Sequence, residues 1–382
     1  MQVRFHASLE EIGEAEWNRL AGEHNPFLRY EFLVALERHD CVGSHYGWLP
    51  RHMAVRGDAG ELLGAAPMYA KTNSYGELVF DWSWADACQR YGRPYYPKLV
   101  IAIPYTPATG ERLLLAEHPL RESVAAALID AARQEAERQG LSSVHWLFPN
   151  AAQQSRLTAQ GLLARTGVQF HWHNPGYRSF DEFLDTLTAA KRKKIRRERR
   201  RVTEAGIRCR VLHGDEMDDE QWRTLHNLYA STFDKKSGMA TLSLPFFREI
   251  GRTMPRSVVI VLAYEGERIV AGAINFRGSD TLYGRHWGCF EDYHSLHFEA
   301  CYYVGQEYCI EQGLKRFEPG AQGEHKIARG FLPTRTWSAH WLTDPRFRDA
   351  VARHLQFETQ AMEDYYLELF AHSPYRDTPV PP

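Results

Sequence analysis

Ile310-Glu311-Gln312-Gly313-Leu314-Lys315-Arg316-Phe317-Glu318-Pro319 reads as a helix end, a glycine stop, a short strand and a proline, and the chain carries this order twice. The earlier copy runs Glu137-Arg138-Gln139-Gly140-Leu141, then Val144 to Phe148, then Pro149. A glycine directly after a helical stripe supplies the left-handed residue that ends a helix. What leads into each copy is also parallel. Before the second, Val258 to Tyr264, Ile269 to Phe276 and Leu282 to Phe290 read as strands parted by turns at Glu265-Gly266 and Gly278 to Asp280. A helix from about Leu296 to Gln312 follows, with Phe298, Cys301, Tyr302, Gly305 and Cys309 on one stripe. Before the first copy, strands are predicted over Leu62 to Tyr69, Leu78 to Trp82 and Lys98 to Tyr105, then a helix from about Pro119 to Gln139. Residues 151–160 make another helix and Val168 to His173 another strand. The reading is an α+β chain of two copies of one fold, residues 1–175 and 176–382, each a mixed, mostly antiparallel sheet flanked by helices.

With 382 residues, 44% hydrophobic and 25% charged, the chain has material for two cored domains and no signature of disorder. Six cysteines without a CxxC pair argue against a structural zinc site, and His171 with His173 lacks a third ligand, so no metal is expected. The first residues, MQVRFHASLEEIGEAEW, are acidic where a signal peptide needs an apolar run, and no apolar segment is long enough to span a bilayer. A bacterial-type cytoplasmic protein is expected, either free or peripheral at the inner membrane. No GxSxG, HExxH or P-loop pattern occurs, which leaves serine-hydrolase, zincin and NTPase readings without support.

A net charge of −2 hides an uneven distribution. Ser179 and Glu182 form a capping box, and Phe180, Phe183, Leu184, Leu187, Ile195 and Val202 keep a helical stripe, which predicts one long helix over about 180–205. Its second half, KRKKIRRERRR, holds nine cations and one carboxylate. Such a run is either a solvated face or the contact for an anionic partner through Lys191, Lys194, Arg196, Arg197 and Arg200. The phosphates of coenzyme A, a tRNA backbone and an anionic membrane leaflet all fit that contact.

The loop after the second repeat, FEPGAQGEHKIARGF from Phe317 to Phe331, concentrates proton-handling and anion-binding groups. His325 is a candidate base because free imidazole titrates near neutrality. Glu324 is placed to orient it. Lys326 and Arg329 are spaced to share a helical face and hold an anion, with Gly320 and Gln322 completing the binding groups. Asp81, Trp82, Trp84 and Asp86 alternate as on a strand, setting an aromatic wall beside a carboxylate that suits a long amine; core packing is the competing use of the tryptophans. His286 either lines the cleft or is a core histidine.

Taken together, SYGELVFDWSWADA (74–87), PYYPKLVIAIPYTPATG (94–110), KRKKIRRERR, LYGRHWGC (282–289), LHFEACYY (296–303) and EPGAQGEHKIARGFLP (318–333) resemble the FemAB-like branch of the GNAT acyltransferase superfamily over almost the whole chain. The resemblance implies tandem GNAT folds and an N-acyltransferase that moves an acyl group to an amine. The leading expectation is acyl-CoA as co-substrate, with a long-chain acyl group and a lipidic acceptor such as a sphingoid-type base, as in bacterial ceramide-synthase-type relatives. The alternatives are a Fem-type transferase using aminoacyl-tRNA on a peptidoglycan precursor, and a non-catalytic GNAT-derived protein bound at the membrane surface. In GNAT folds the strand ending at Glu318 splays to open the acyl channel, which makes Glu318 the first candidate base and His325 the second; an ion pair with Lys326 or Arg329 is the structural alternative for Glu318. The GNAT pyrophosphate loop corresponds in the second half to Phe290 to Ser295, which is acidic and lacks glycine. In the first half it corresponds to Pro104 to Leu114, where Thr106, Thr109, Gly110 and Arg112 are candidate phosphate-binding groups.

Overall fold

A computed structural model describes residues 2–235, 238–321 and 323–377. Its chain divides into two units, Met1–Gly22 with Phe27–Val168 and Arg335–Tyr365, and Glu23–Pro26 with Gln169–Thr334 and Tyr366–Pro382.

In the first unit, Val3–His6, His52–Arg56, Leu62–Ala66 and Leu114–Leu115 pair antiparallel in that order. A second sheet orders Trp48–Pro50, Met68–Lys71, Lys98–Ile101, Ser143–Leu147 and residues 338–342. Lys98–Ile101 and Ser143–Leu147 run parallel. A parallel pair needs a crossover, and the helix Arg121–Arg138 lies in that connection. It buries Val124, Ala125, Leu128, Ile129, Ala132 and Ala136 into a core with Met53, Leu99, Trp146 and Trp341. Burying Val124, Leu128 and Ile129 contributes roughly 1.5–3 kcal/mol each, which is what holds the helix on its sheet.

The second unit repeats the logic. Ile207–His213, Val258–Glu265, Arg268–Arg277 and Thr281–Cys289 form an antiparallel meander. Arg316–Glu318 then adds parallel to the last of these and pairs on its other side, antiparallel, with Trp172 and His173. The crossover is the helical stretch of Leu296–Phe298, a wide π turn at Glu299–Tyr303 and Val304–Glu311. The repeated stop is the same in both units: Gly140 and Gly313 each have φ 65°. The next amide, Leu141 or Leu314, donates 2.8 Å back to Ala136 or Cys309, satisfying a carbonyl that the ended helix would leave bare.

Several sequence expectations change. Leu62 to Tyr69 is not one strand: Pro67 lacks an N–H, and the chain switches sheets there, from Leu62–Ala66 to Met68–Lys71. Leu78 to Trp82 is not a strand either. Leu78 takes φ 61° and a helix starts at Trp82, running Trp82–Arg90. The alternation of tryptophans misled, because the buried positions Asp81, Trp84 and Cys88 follow the helical i, i+3, i+7 spacing. The long basic helix is two helices, Phe180–Thr186 and Ala189–Glu204. Leu187 is buried and extended (ψ 155°), and a bridge to Tyr375 fixes it there. The strand Leu332–Leu342 and the helix Pro345–Ala371 were not foreseen.

Candidate functional site

In the second unit the parallel pairing covers only Thr281 to Tyr283 against Arg316 to Glu318. A Cβ on Gly284 would lie 3.2 Å from the Pro319 Cα, so the absence of a side chain permits the approach at which the two strands part. Past that point the chain makes a left-handed turn at Gly320 and Gly323 (φ 92° and 116°) and a short 3-10 helix, Glu324–Arg329.

His325 stands on this helix with its ring exposed. Tyr302 holds it, the hydroxyl lying 2.9 Å from Nε2, and Phe298 and His297 flank it with ring centroids at 5.9 and 6.2 Å. The π turn of the helix brings Tyr302 and the adjacent Tyr303 both inward, a distortion that recurs at functional sites. Desolvation, then the positive charges of Arg329, Lys326 and Lys194, lower the His325 pKa below its ordinary value. The imidazole is therefore neutral at pH 7 and able to accept a proton.

The neighbouring candidates have other duties. Lys326 is buried and donates 2.8 Å to the Gly320 carbonyl, and burial pushes its pKa down to about 8. Arg329 is buried, pairs with Glu198 at 2.8 Å, donates 2.7 Å to the His325 carbonyl and lies 3.4 Å over the Phe298 ring. The expected shared anion-holding face of Lys326 and Arg329 is thus corrected: both point into the unit, where they brace the loop. Glu318 is buried, 3.1 Å from Arg316 and 3.8 Å from His171. It has an ion pair, as the structural alternative foresaw, but with Arg316. Glu324 is exposed. His286 is half-buried and packs on the Tyr229 ring at 4.8 Å, and desolvation holds its pKa well below 6.5. Gln322 lies outside the described residues.

Along Ala189–Glu204, several cations are occupied. Arg196 pairs with Asp181, Arg200 with Glu204, and Arg199 bridges Glu299 and Glu307 at 2.9 and 2.6 Å. Among the described residues, the side chains of Lys191, Lys193, Lys194 and Arg197 have no hydrogen-bond or ion-pair partner. Lys191, Lys194 and Arg197, three apart, share one helical face.

In the first unit the expected phosphate loop does not present its arginine. Arg112 is fully buried and donates 2.7 Å to each of the Leu147, Glu111 and Ala108 carbonyls. Thr106 donates to the Pro104 carbonyl, and the Gly110 amide donates to Phe148. Those contacts shape the turn, and a phosphate role for Arg112 would require breaking them. Asp81 is also not the open carboxylate expected beside Trp82 and Trp84. It accepts from Ser74 and Tyr95, both at 2.6 Å, and pairs with Lys98. Trp84 is buried and Trp82 is 45% exposed.

Around Lys98 lies a polar cluster that sequence reading missed. The fully buried ammonium donates to Ser74 at 2.9 Å, to Glu77 at 2.8 Å and to Asp81. Beyond Tyr95, His145 and His340 form a buried pair, Nδ1 to Nδ1, at 2.6 Å. Their outer nitrogens meet Ser143 at 2.7 Å and Ser338 at 2.8 Å. Burial brings the His145 pKa down to about 3. The available signal was Lys98 itself: a lysine opening the otherwise apolar run KLVIAI must find carboxylates inside.

A meander, a crossover helix and a strand added in parallel, present in tandem, define a tandem GNAT-like fold. The chain belongs to the FemAB-like family: the family model described as peptidoglycan biosynthesis/recognition matches residues 8–377. No curated protein matches it. Among solved structures it is similar to FemX, with 12% identity and TM-score 0.56 over 92% of this chain and 100% of that one. It is also similar to L-PGS from Bacillus licheniformis, with 12% identity and TM-score 0.51 over 87% and 98%. At these identities the likeness concerns the fold. Among the described residues no group of three or more His, Cys, Asp or Glu converges to hold a metal, and no helix is long and apolar enough to cross a membrane.

Proposed function

We propose that the chain transfers an acyl group from a phosphate-bearing carrier to an amine, with His325 as the base. The observation that carries this is the exposed His325, on the loop that follows the parallel strand, its imidazole held by Tyr302 and kept neutral by its surroundings. The amine nitrogen attacks the acyl carbon, the new C–N bond forms and the bond from carbon to the leaving sulfur or oxygen breaks. His325 takes the proton lost by the nitrogen and returns it to the leaving group. The free cations Lys191, Lys194 and Arg197 support a polyanionic carrier.

Acyl-CoA with a long-chain amine is the first form of this reading. A second, aminoacyl-tRNA with a peptidoglycan precursor, is favoured by one specific observation: the arginine of the first candidate pyrophosphate loop, Arg112, is committed to carbonyls, and the second loop, residues 290–295, carries Glu291 and Asp292. The two are separated by supplying palmitoyl-CoA with a sphingoid base in one assay and aminoacyl-tRNA with a peptidoglycan precursor in another. Free coenzyme A and an N-acyl product support the first; aminoacyl transfer supports the second. Absence of product in both contradicts the transfer reading.

A further inference from the structure

The segment from Ser74 to Trp82 is wound so that its side chains alternate between the interior of the first unit and solvent. Gly76 has φ 80°, and a Cβ there would strike the Tyr105 ring at 2.4 Å, so this turn needs glycine. Leu78, at φ 61°, turns the chain again. Between them Glu77 goes inward, 3% exposed, and Asp81 follows at 1%. Tyr75, Phe80 and Trp82 stay outside at 66%, 54% and 45% exposure, joined by Tyr91 at 82%. Tyr75 and Trp82 meet edge to face with centroids 5.2 Å apart.

The interior is not fully satisfied. Glu77 Oε2 accepts from Lys98, but Oε1 is buried with no hydrogen-bond partner. An unmatched buried carboxylate oxygen leaves its desolvation uncompensated, and a bound donor removes that cost. Charge selects the donor. Asp81 and Glu77 face one strongly held cation, Lys98. The second buried lysine, Lys71, donates instead to the Tyr75 carbonyl at 3.1 Å and to Asn73 at 3.3 Å, with its Nζ 4.0 Å over the Trp48 ring. Burial lowers its pKa to about 7. An incoming anion would meet the Asp81 carboxylate and a Glu77 carboxyl that burial raises to about 7, whereas an ammonium supplies the missing N–H and favours the charged form of Glu77. The exposed aromatic rings beside it would take an apolar substituent, by burial and by cation–π contact.

We propose that the first unit holds a binding site for a primary ammonium group carrying an apolar substituent, with Glu77 Oε1 as the acceptor and Tyr75, Phe80 and Trp82 as the apolar rim. Lys98 and Asp81 are positioning residues that fix the Glu77 carboxylate. Identifying this ammonium with the amine that is acylated rests on the transfer reading; the site itself rests on the first unit alone.

Isothermal titration of the full chain with hexylamine hydrochloride, hexanoate and 1-hexanol tests it. Saturable one-to-one binding of hexylammonium alone is expected, weakened at least tenfold in Glu77→Gln and several-fold in Trp82→Ala. Equal binding to Glu77→Gln, or hexanoate binding as well as hexylammonium, overturns the proposal. Because Glu77→Gln disturbs a buried ion pair, the wild-type chain provides a second measurement. The 13C carboxyl resonance of Glu77 is expected to shift on adding hexylammonium, and an unmoved resonance overturns the site. Acyl transfer that proceeds while hexylammonium fails to bind removes this inference alone; binding without transfer from either donor removes the transfer reading alone.

Discussion

Lys98 illustrates how a single buried charge organises its surroundings. Its ammonium has no contact with water and is held by Glu77 and Asp81. Removing one partner of such a set strands the others, at a cost of about 3–5 kcal/mol. Lys98→Met should therefore destabilise the first unit by that order in urea unfolding, and the triple change Lys98→Met, Glu77→Gln, Asp81→Asn should recover much of it. A triple variant no more stable than the single one would show that packing, not charge, is at stake. The buried histidines give a pH dependence whose sign is fixed. Desolvation lowers His145 to about 3 and holds His340 and His171 well below 6.5, so the unfolded chain binds more protons than the folded one once pH falls below about 6.5. Their contribution is intact above that point and is lost progressively as pH falls toward the folded values. Glu77, raised by burial to about 7, and Glu299, also raised by burial, act oppositely but are two groups against three. Thermal unfolding should move to lower temperature between pH 7 and pH 5; an unchanged or rising midpoint would contradict the neutral buried pairs.

At the scale of elements, the repeated glycine stop is the most testable feature. Neither Gly140 nor Gly313 has anything within 4 Å of an added Cβ, so alanine there meets only the backbone penalty of φ 65°, about 1–2 kcal/mol. Gly140→Ala and Gly313→Ala should each lower stability by that amount in denaturant titration, and by similar amounts, since the two ends have the same hydrogen-bond closure. The basic helix separates two kinds of cation. Changing Lys191, Lys194 and Arg197 together to alanine should leave thermal stability unchanged and weaken carrier binding, with a shallower dependence on salt. Arg199→Ala should instead lower stability, because it releases the buried Glu299. These elements also show what sequence makes legible. The crossover helices and the second meander could be read, because glycine stops and apolar stripes are local signals. The break at Leu187-Thr188 could not, because it depends on Leu187 bridging to Tyr375, far along the chain. The helix at Trp82–Arg90 was hidden by tryptophans two apart, although Asp81, Trp84 and Cys88 already carried the helical period.

For the whole molecule, duplication of one fold was readable from the paired glycine stops, and the FemAB-like family follows over residues 8–377. The site was readable in part. His325 could be named from its chemistry, but its partner Tyr302 stands 23 residues earlier on a π turn that no local pattern announces. Arg112 and Arg329 looked like anion binders because a guanidinium in a glycine-rich loop often is one, and only three-dimensional contacts show their donors turned inward. Glu77 escaped notice because the residues after it read as a strand, Leu78 to Trp82, and its burial depends on the turns at Gly76 and Leu78. The claim that ties these together is acyl transfer with His325 as base, and it is tested most directly by the pH–rate profile of amide formation in wild type and His325→Gln. The account predicts that the wild-type rate falls as pH drops through a value below 6.5, and that His325→Gln loses about 10²–10⁴-fold while still binding the carrier. A His325→Gln chain that forms amide at the wild-type rate, with the same pH profile, would contradict it.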